Sequence, residues 1–143
     1  MAIRSRNLTA TYRYVSNLDA DKGNPEAETV WILGTLDSRV VGHLRDIATV
    51  MIADEQAPNG QAVSIRNGKV NYEGVAFGLK GFERFYDCDG NEHVYKTVRR
   101  NLHGTSYDVL SDELLRNIDP AIITELAEQI AMNNTLRVDE GKN

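Results

Sequence analysis

A chain of 143 residues with 41% hydrophobic and 26% charged side chains has the makeup of one globular domain. No apolar run approaches the roughly 18 residues of a membrane span, and the single cysteine, Cys88, excludes an internal disulfide or a site built on two thiolates. The net charge of −5 argues against a general nucleic-acid binder, whose affinity comes from neutralising phosphates.

The charge is unevenly spread. Residues 1–16 carry Arg4, Arg6 and Arg13 and no acid, whereas 111–143 carry seven acids against Arg116, Arg137 and Lys142. A basic arm and an acidic tail are compatible with self-association, with solvated surface charge as the plainer explanation. Ser5, Asn7, Thr9 and Thr11 break up any apolar core behind the first arginines, so no secretory signal is expected and the cytoplasm is the expected location.

In chain order, the alternating, β-rich LTATYRYVS predicts a strand over Leu8–Ser16. The stretch NLDADKGNPEAE favours reversal through its Asp, Gly, Asn and Pro residues. A second short strand is expected over Thr29–Leu33, antiparallel to the first. Leu36–Met51 has helical periodicity, with Val40, Leu44, Ile47 and Met51 on one face and Asp37 or Ser38 as the cap. Pro58, Asn59 and Gly60 mark Asp54–Gln61 as an exposed loop.

The middle admits two readings. VSIRNGKVNY fits a hairpin around an Asn67-Gly68 type I′ turn. Val70–Leu79 instead places Val75, Ala76 and Leu79 on one helical face, with Gly81 as a C-cap. A short helix over 69–79 is preferred, although Gly74 and Gly78 each weaken it by up to about 1 kcal/mol relative to alanine. Phe82–Tyr86 and Glu92–Arg99 flank Asp89-Gly90 and read as the clearest hairpin, and Ser106–Leu110 is expected to add a strand.

The closing segment is the most legible. Ser111 or Asp112 caps a short helix through Arg116, and Asp119-Pro120 fits an N-cap followed by proline at the first helical position. Ile118 and Ile123 are placed for a hydrophobic staple. Ile123, Leu126, Ala127 and Ile130 form the buried stripe, Glu125, Glu128 and Gln129 are expected to face water, and Asn133-Asn134 ends the helix. The expected fold class is α+β: a small antiparallel sheet with two to four helices in a single domain, 1–143, closed by a C-terminal amphipathic helix. Residues 1–7 and 137–143 are expected to be flexible ends.

Catalytic and metal-binding patterns are incomplete. Asp87, Asp89 and Asn91 match the opening of a calcium loop, but Glu92 stands where its glycine belongs and Val98 where its bidentate glutamate belongs. Asp19 and Asp21 fail likewise, with Val30 at the glutamate position. Gly68-Lys69 lacks the rest of a phosphate loop. His43, His93 and His103 are scattered; His93 is the candidate base for Cys88 across the hairpin, but the turn register places Asn91 nearer. Tyr72, Phe77, Phe82, Phe85, Tyr86 and Tyr95 lie among Lys80, Arg84, Lys96, Arg99 and Arg100, as in a single-strand stacking platform. Nearby Glu83, Asp87, Asp89 and Glu92 cancel that field, which disfavours nucleic acid. No catalytic residue, cofactor or metal is expected.

Three phrases, YRYVSNLDADKGNPEAETVWILGTLDSRVVGHLRD, FGLKGFERFYDCDGNEH and SDELLRNIDPAIITELAEQIAMNNTL, together resemble small proteins of tailed bacteriophages described as tail-assembly chaperones. The resemblance runs from about Tyr12 to Leu136 and lies in overall layout rather than in a catalytic signature. It implies a non-enzymatic adaptor in the host cytoplasm that binds the long helical tape-measure protein and keeps it soluble. Masking amphipathic helices requires an apolar surface. Candidate contacts are Phe77, Leu79, Phe82 and Phe85, with Ile123, Leu126 and Ile130 as the alternative face, and core packing competes for every one of them. Two other readings stand beside this one: a structural head or tail component of the virion, and a phage effector that binds a host protein, including a defence protein.

Overall fold

Alternation along the first strand decides how the sheet is used. The structure, a computed structural model, describes the backbone of residues 2–54 and 61–140 and the side chains of 2–48 and 68–134. Strand β1 (Thr11–Tyr14) is shorter than expected and pairs antiparallel with β2 (Val30–Gly34), Tyr12 opposite Leu33 and Tyr14 opposite Trp31. β2 pairs antiparallel with β3 (Leu79–Glu83), Trp31 opposite Phe82 and Leu33 opposite Leu79, with a bulge at Ile32/Leu33. Strand side chains alternate between faces, so Tyr12, Tyr14, Trp31, Leu33, Leu79 and Phe82 share the face that meets the helices.

The loop between β1 and β2 is held by its own polar side chains. Asp19 accepts hydrogen bonds from the amides of Asp21 and Thr29, which closes the stretch that the sequence marks as a reversal. Helix α1 (Ser38–Asp54) follows β2, and the Asp37 carboxylate caps it by accepting from the Val40 amide at 2.9 Å. The expected loop around Pro58 falls on 55–60, outside the described residues, as does the side chain of Met51.

Helix α2 (Gln61–Gly78) overturns the Asn67-Gly68 hairpin and extends the expected short helix toward its N-terminus. Its last turn explains why helix wins. Gly74 to Gly78 are all buried, as is Leu79, and α2 packs against α1, α4, β5 and the short helix α3 (Asp112–Asn117). A segment surrounded on all sides must satisfy its backbone internally, and a helix running through Asn67-Gly68 into 74–78 does so. Gly81 is not a C-cap: it lies in β3 opposite Ile32.

The hairpin expected across Asp89-Gly90 is also corrected. β3 stops where Arg84 adopts a left-handed φ of 60°, held by Thr29 Oγ1 donating to its carbonyl at 2.6 Å and by its own Nε donating to the Glu28 carbonyl at 2.6 Å. Beyond it only Tyr86 and Glu92 form a bridge, and the Asp87 carboxylate caps the tight turn by accepting from the amides of Asp89 and Asn91. Phe82, Phe85 and Tyr95 pack with Trp31 as an aromatic group, ring centroids 5.0–6.1 Å apart, instead of forming a ladder. Tyr95 Oη also donates to the Leu79 carbonyl at 2.6 Å, and burial, helped by the Asp108 charge, pushes its phenol up to about 12.

The regular hairpin of this half is β4 (Thr97–Leu102) with β5 (Thr105–Leu110). His103 and Gly104 join them with φ of 51° and 87°, the pair of positive values that a two-residue type I′ turn demands. Ser111 then caps α3 by accepting from the Leu114 amide, as expected.

Helix α4 (Pro120–Glu140) begins at the expected cap, with Asp119 accepting from the Ala121 amide at 2.8 Å. Ile123, Leu126, Ala127 and Ile130 are buried. Two expectations fail here. Glu125 does not face water: its carboxylate accepts from Tyr14 Oη, from Ser16 Oγ and from the Asn17 amide, and so ties α4 to the end of β1. Burial alone would raise the pKa of Glu125, but these donors outweigh it and hold the group below the usual carboxylate range. Asn133 and Asn134 do not end the helix. They donate to the carbonyls of Gln129 and Ile130, and Asn134 Oδ1 accepts from the Leu36 amide and from Arg6. The helix continues through Glu140, and residues 141–143 lie outside the described ones.

The three glycines of α2 meet different surroundings. A Cβ on Gly78 would lie 2.6 Å from Ile130 Cδ1 and 2.9 Å from Ile130 Cγ2, whereas one on Gly68 or Gly74 meets nothing within 4 Å. Gly68→Ala and Gly74→Ala are therefore expected to raise stability by up to about 1 kcal/mol each through helix propensity. Gly78→Ala is expected to lower it by roughly 1–3 kcal/mol through overpacking. Urea denaturation of the three variants checks this; a loss at Gly68 would mean a turn with positive φ there instead of a helix.

Candidate protein-docking groove

The spacing of Lys69, Tyr72, Glu73 and Ala76 puts four α2 residues on one helical face. Opposite them, β4 and β5 present Val98, Arg100 and Val109, with Val98 and Val109 directly paired across the hairpin. Asp112, Leu115 and Arg116 of α3 close the third side, also at helical spacing. Together with Leu110 these residues line an open groove of about 620 Å³. Its floor is apolar, from the buried Ala76, Val109, Leu110 and Leu115. Its upper walls carry two apolar side chains that water reaches, Tyr72 at 39% and Val98 at 50% exposure.

Charge sits at the rim and is mostly paired. Arg100 grips Glu73 in a two-pronged pair, Nη1 and Nη2 each 2.6 Å from a carboxylate oxygen. The same guanidinium lies 5.1 Å over the Phe77 ring, a cation–π contact that fixes its plane. His43 Nε2 lies 3.6 Å from Glu73 Oε1, the oxygen that Arg100 Nη2 holds. Phe77 in turn packs edge-on against Tyr107, whose hydroxyl donates to Asp37 Oδ2 at 2.8 Å. One chain of contacts thus links the α1 cap, the end of α2 and the β4–β5 hairpin. Burial alone would push Glu73 up, but the hydrogen bonds and charge of Arg100, then His43, win and hold it below the usual carboxylate range.

The contact residues expected from sequence lie elsewhere. Phe77, Leu79, Ile123, Leu126 and Ile130 are buried core side chains, and none reaches the surface of this fold. Phe82 and Phe85 are partly buried against Trp31, in the aromatic group that holds the 84–96 segment in place. The groove residues Tyr72, Ala76, Val98 and Leu115 are not among them. The signal that could have found them is the i, i+3, i+4, i+7 run 69–72–73–76, which becomes visible once residues 61–78 are read as one helix.

The remaining reactive residue types stay apart. Cys88 is exposed on the Asp87 turn, and His93 stacks on Phe85 at 4.6 Å. Among the described residues no group of three His, Cys, Asp or Glu is placed to hold a metal ion, and no helix is long and apolar enough to cross a membrane. No protein-family model, curated protein or solved structure matches this chain.

Because the Glu73 pKa is lowered on folding, its contribution is present above the usual carboxylate range and lost as pH falls through the lowered value. Glu73→Gln is expected to cost about 1–2 kcal/mol at neutral pH, a figure discounted for the partial exposure of Arg100. The difference from the parent protein should shrink toward zero in acid. Urea denaturation at pH 7 and in acid, with the parent as control, tests this, and a gap that stays constant with pH would contradict it.

Proposed function

We propose that this protein is a non-enzymatic assembly chaperone of tailed phage, acting in the host cytoplasm, and that it shelters an amphipathic helix of the tape-measure protein in the α2–β4–β5–α3 groove. The observation that carries the reading is the groove itself: an apolar floor, solvent-reached Tyr72 and Val98, and a charged rim. This is the surface that helix-in-groove recognition uses, in which one apolar stripe of a helix settles between walls while its polar face stays in water. The rim is also suited to the task. Lys69, Arg100 and Arg116 face Glu73 and Asp112, leaving one net positive charge in a chain of net −5, which favours helices with acidic flanks.

The phrase-by-phrase resemblance to tail-assembly chaperones supports the choice of partner. A tape-measure protein is a long helix whose apolar stripe must stay masked until tube subunits surround it. A reversible groove of modest size fits that requirement better than an obligate interface, because the chaperone must leave.

The test is co-expression with the tape-measure protein of the same phage. The two are expected to co-elute, and Val98→Asp should weaken the complex roughly tenfold or more while leaving the melting temperature nearly unchanged, because half of that side chain is already in water. Mass spectrometry of purified virions should find the protein absent. Its presence at fixed copy number would make it a structural component, and recovery of a host protein in place of the tape-measure protein would make it an effector.

A further inference from the structure

Two sets of arginines stand out among the described residues. Arg13, Arg84, Arg99, Arg100 and Arg116 each lie within ion-pair distance of a carboxylate. Arg4, Arg6 and Arg39 do not: among the described residues no ion pair joins any of them to an acid. These three line one open hollow of about 530 Å³, together with Ser5, Leu8, Asp37 and Ser38. It shares no lining residue with the groove.

The neighbours leave a net charge of two positives in the lining, three arginines against Asp37. Asp37, the single acid in the lining, is already occupied by the Val40 amide and the Tyr107 hydroxyl. Arg6 spends Nη2 on the neutral Asn134 side chain, and its Nε is shielded from water with no hydrogen-bond partner. Arg39 donates to the His103 carbonyl. Three guanidiniums, of which Arg4 has no partner among the described residues and Arg39 keeps Nε and Nη2 for a two-pronged carboxylate grip, supply a positive hollow on an otherwise acidic protein.

The geometry points to a second recognition site in this hollow, for an acidic peptide segment of a protein partner. Carboxylates supply the missing charge. The apolar part of the hollow selects peptide over bare phosphate or a nucleic-acid backbone: Leu8 lines it while more than half exposed, and Ile3 of the same arm is fully exposed. A peptide that alternates acids with an apolar residue satisfies both; a phosphate backbone leaves the leucine uncovered. This site is independent of the groove and does not rest on the chaperone reading.

The experiment is fluorescence anisotropy on the full chain with a labelled peptide of aspartates and glutamates around a central leucine. Inorganic phosphate and a single-stranded oligonucleotide serve as competitors. Saturable binding is expected, weakening with added salt and falling roughly tenfold in Arg4→Glu/Arg39→Glu, while Val98→Asp leaves it unchanged. Arg6→Ala and Arg6→Lys both remove the Nη2 that bonds Asn134 and are read alongside their melting curves; Arg6→Lys, which keeps the charge without the fork, should weaken binding less than Arg6→Ala. Binding that ignores the arginine changes, an absence of binding, or displacement by the oligonucleotide as effective as by unlabelled peptide would each overturn the proposal.

Discussion

Helix α2 meets helix α4 where one of them has no side chain. Ile130 fills the space over Gly78 so closely that even a methyl group there would collide with it. The contact sits at the junction where α2 becomes β3 without an intervening loop, so it fixes two things at once. It sets the depth at which the end of α2 enters the core, and it sets the position from which Leu79 leads β3 into register with β2. Val75, Leu79, Leu126 and Ile130, all nearly inaccessible to water, gather around this point. Fully burying an aliphatic side chain of this size stabilises by about 1.5–3 kcal/mol, so a shift here would be felt in every layer.

The groove is a consequence of that placement. With one side of α2 committed to α4 and the sheet, its Lys69–Ala76 face is left toward the β4–β5 hairpin and α3. The hairpin is then held at a fixed distance by Arg100, which reaches across to Glu73 and rests on Phe77. The pair costs desolvation and returns it through two short charge-assisted bonds, so its worth lies more in geometry than in net stability. It keeps the walls apart and leaves Val98 and Tyr72 in reach of water, the condition for binding something apolar reversibly.

Legibility in the sequence followed how local each signal was. The caps at Ser111 and Asp119, the stripe of α4 and the pairing of the first two strands were readable because neighbouring residues dictate them. Elsewhere distant contacts decided. Asn67-Gly68 has turn chemistry, yet it lies inside α2 because burial of Gly74–Leu79 outweighs a penalty of about 1 kcal/mol for a glycine. Asp89-Gly90 does form a turn, but Arg84, pinned by Glu28 and Thr29, ends β3 before a ladder can grow. The His103-Gly104 turn was missed because histidine is not the usual residue at positive φ. Glu125 reads as solvent-facing because nothing in its own helix shows that Tyr14, Ser16 and Asn17 converge on it. The candidate contacts are mostly core side chains for a related reason: large apolar side chains stand out in a sequence, and they are the ones a fold hides first.

With this packing the end of α2 is the last part of the molecule to open. Native-state hydrogen exchange measures it directly. The amides of Val75 to Leu79 should exchange only through global unfolding, with protection free energies equal to the stability from urea denaturation, and the amides of the β4–β5 hairpin should open at lower cost. Exchange of 75–79 well below the global value, while α4 and β2 stay protected, would contradict the account.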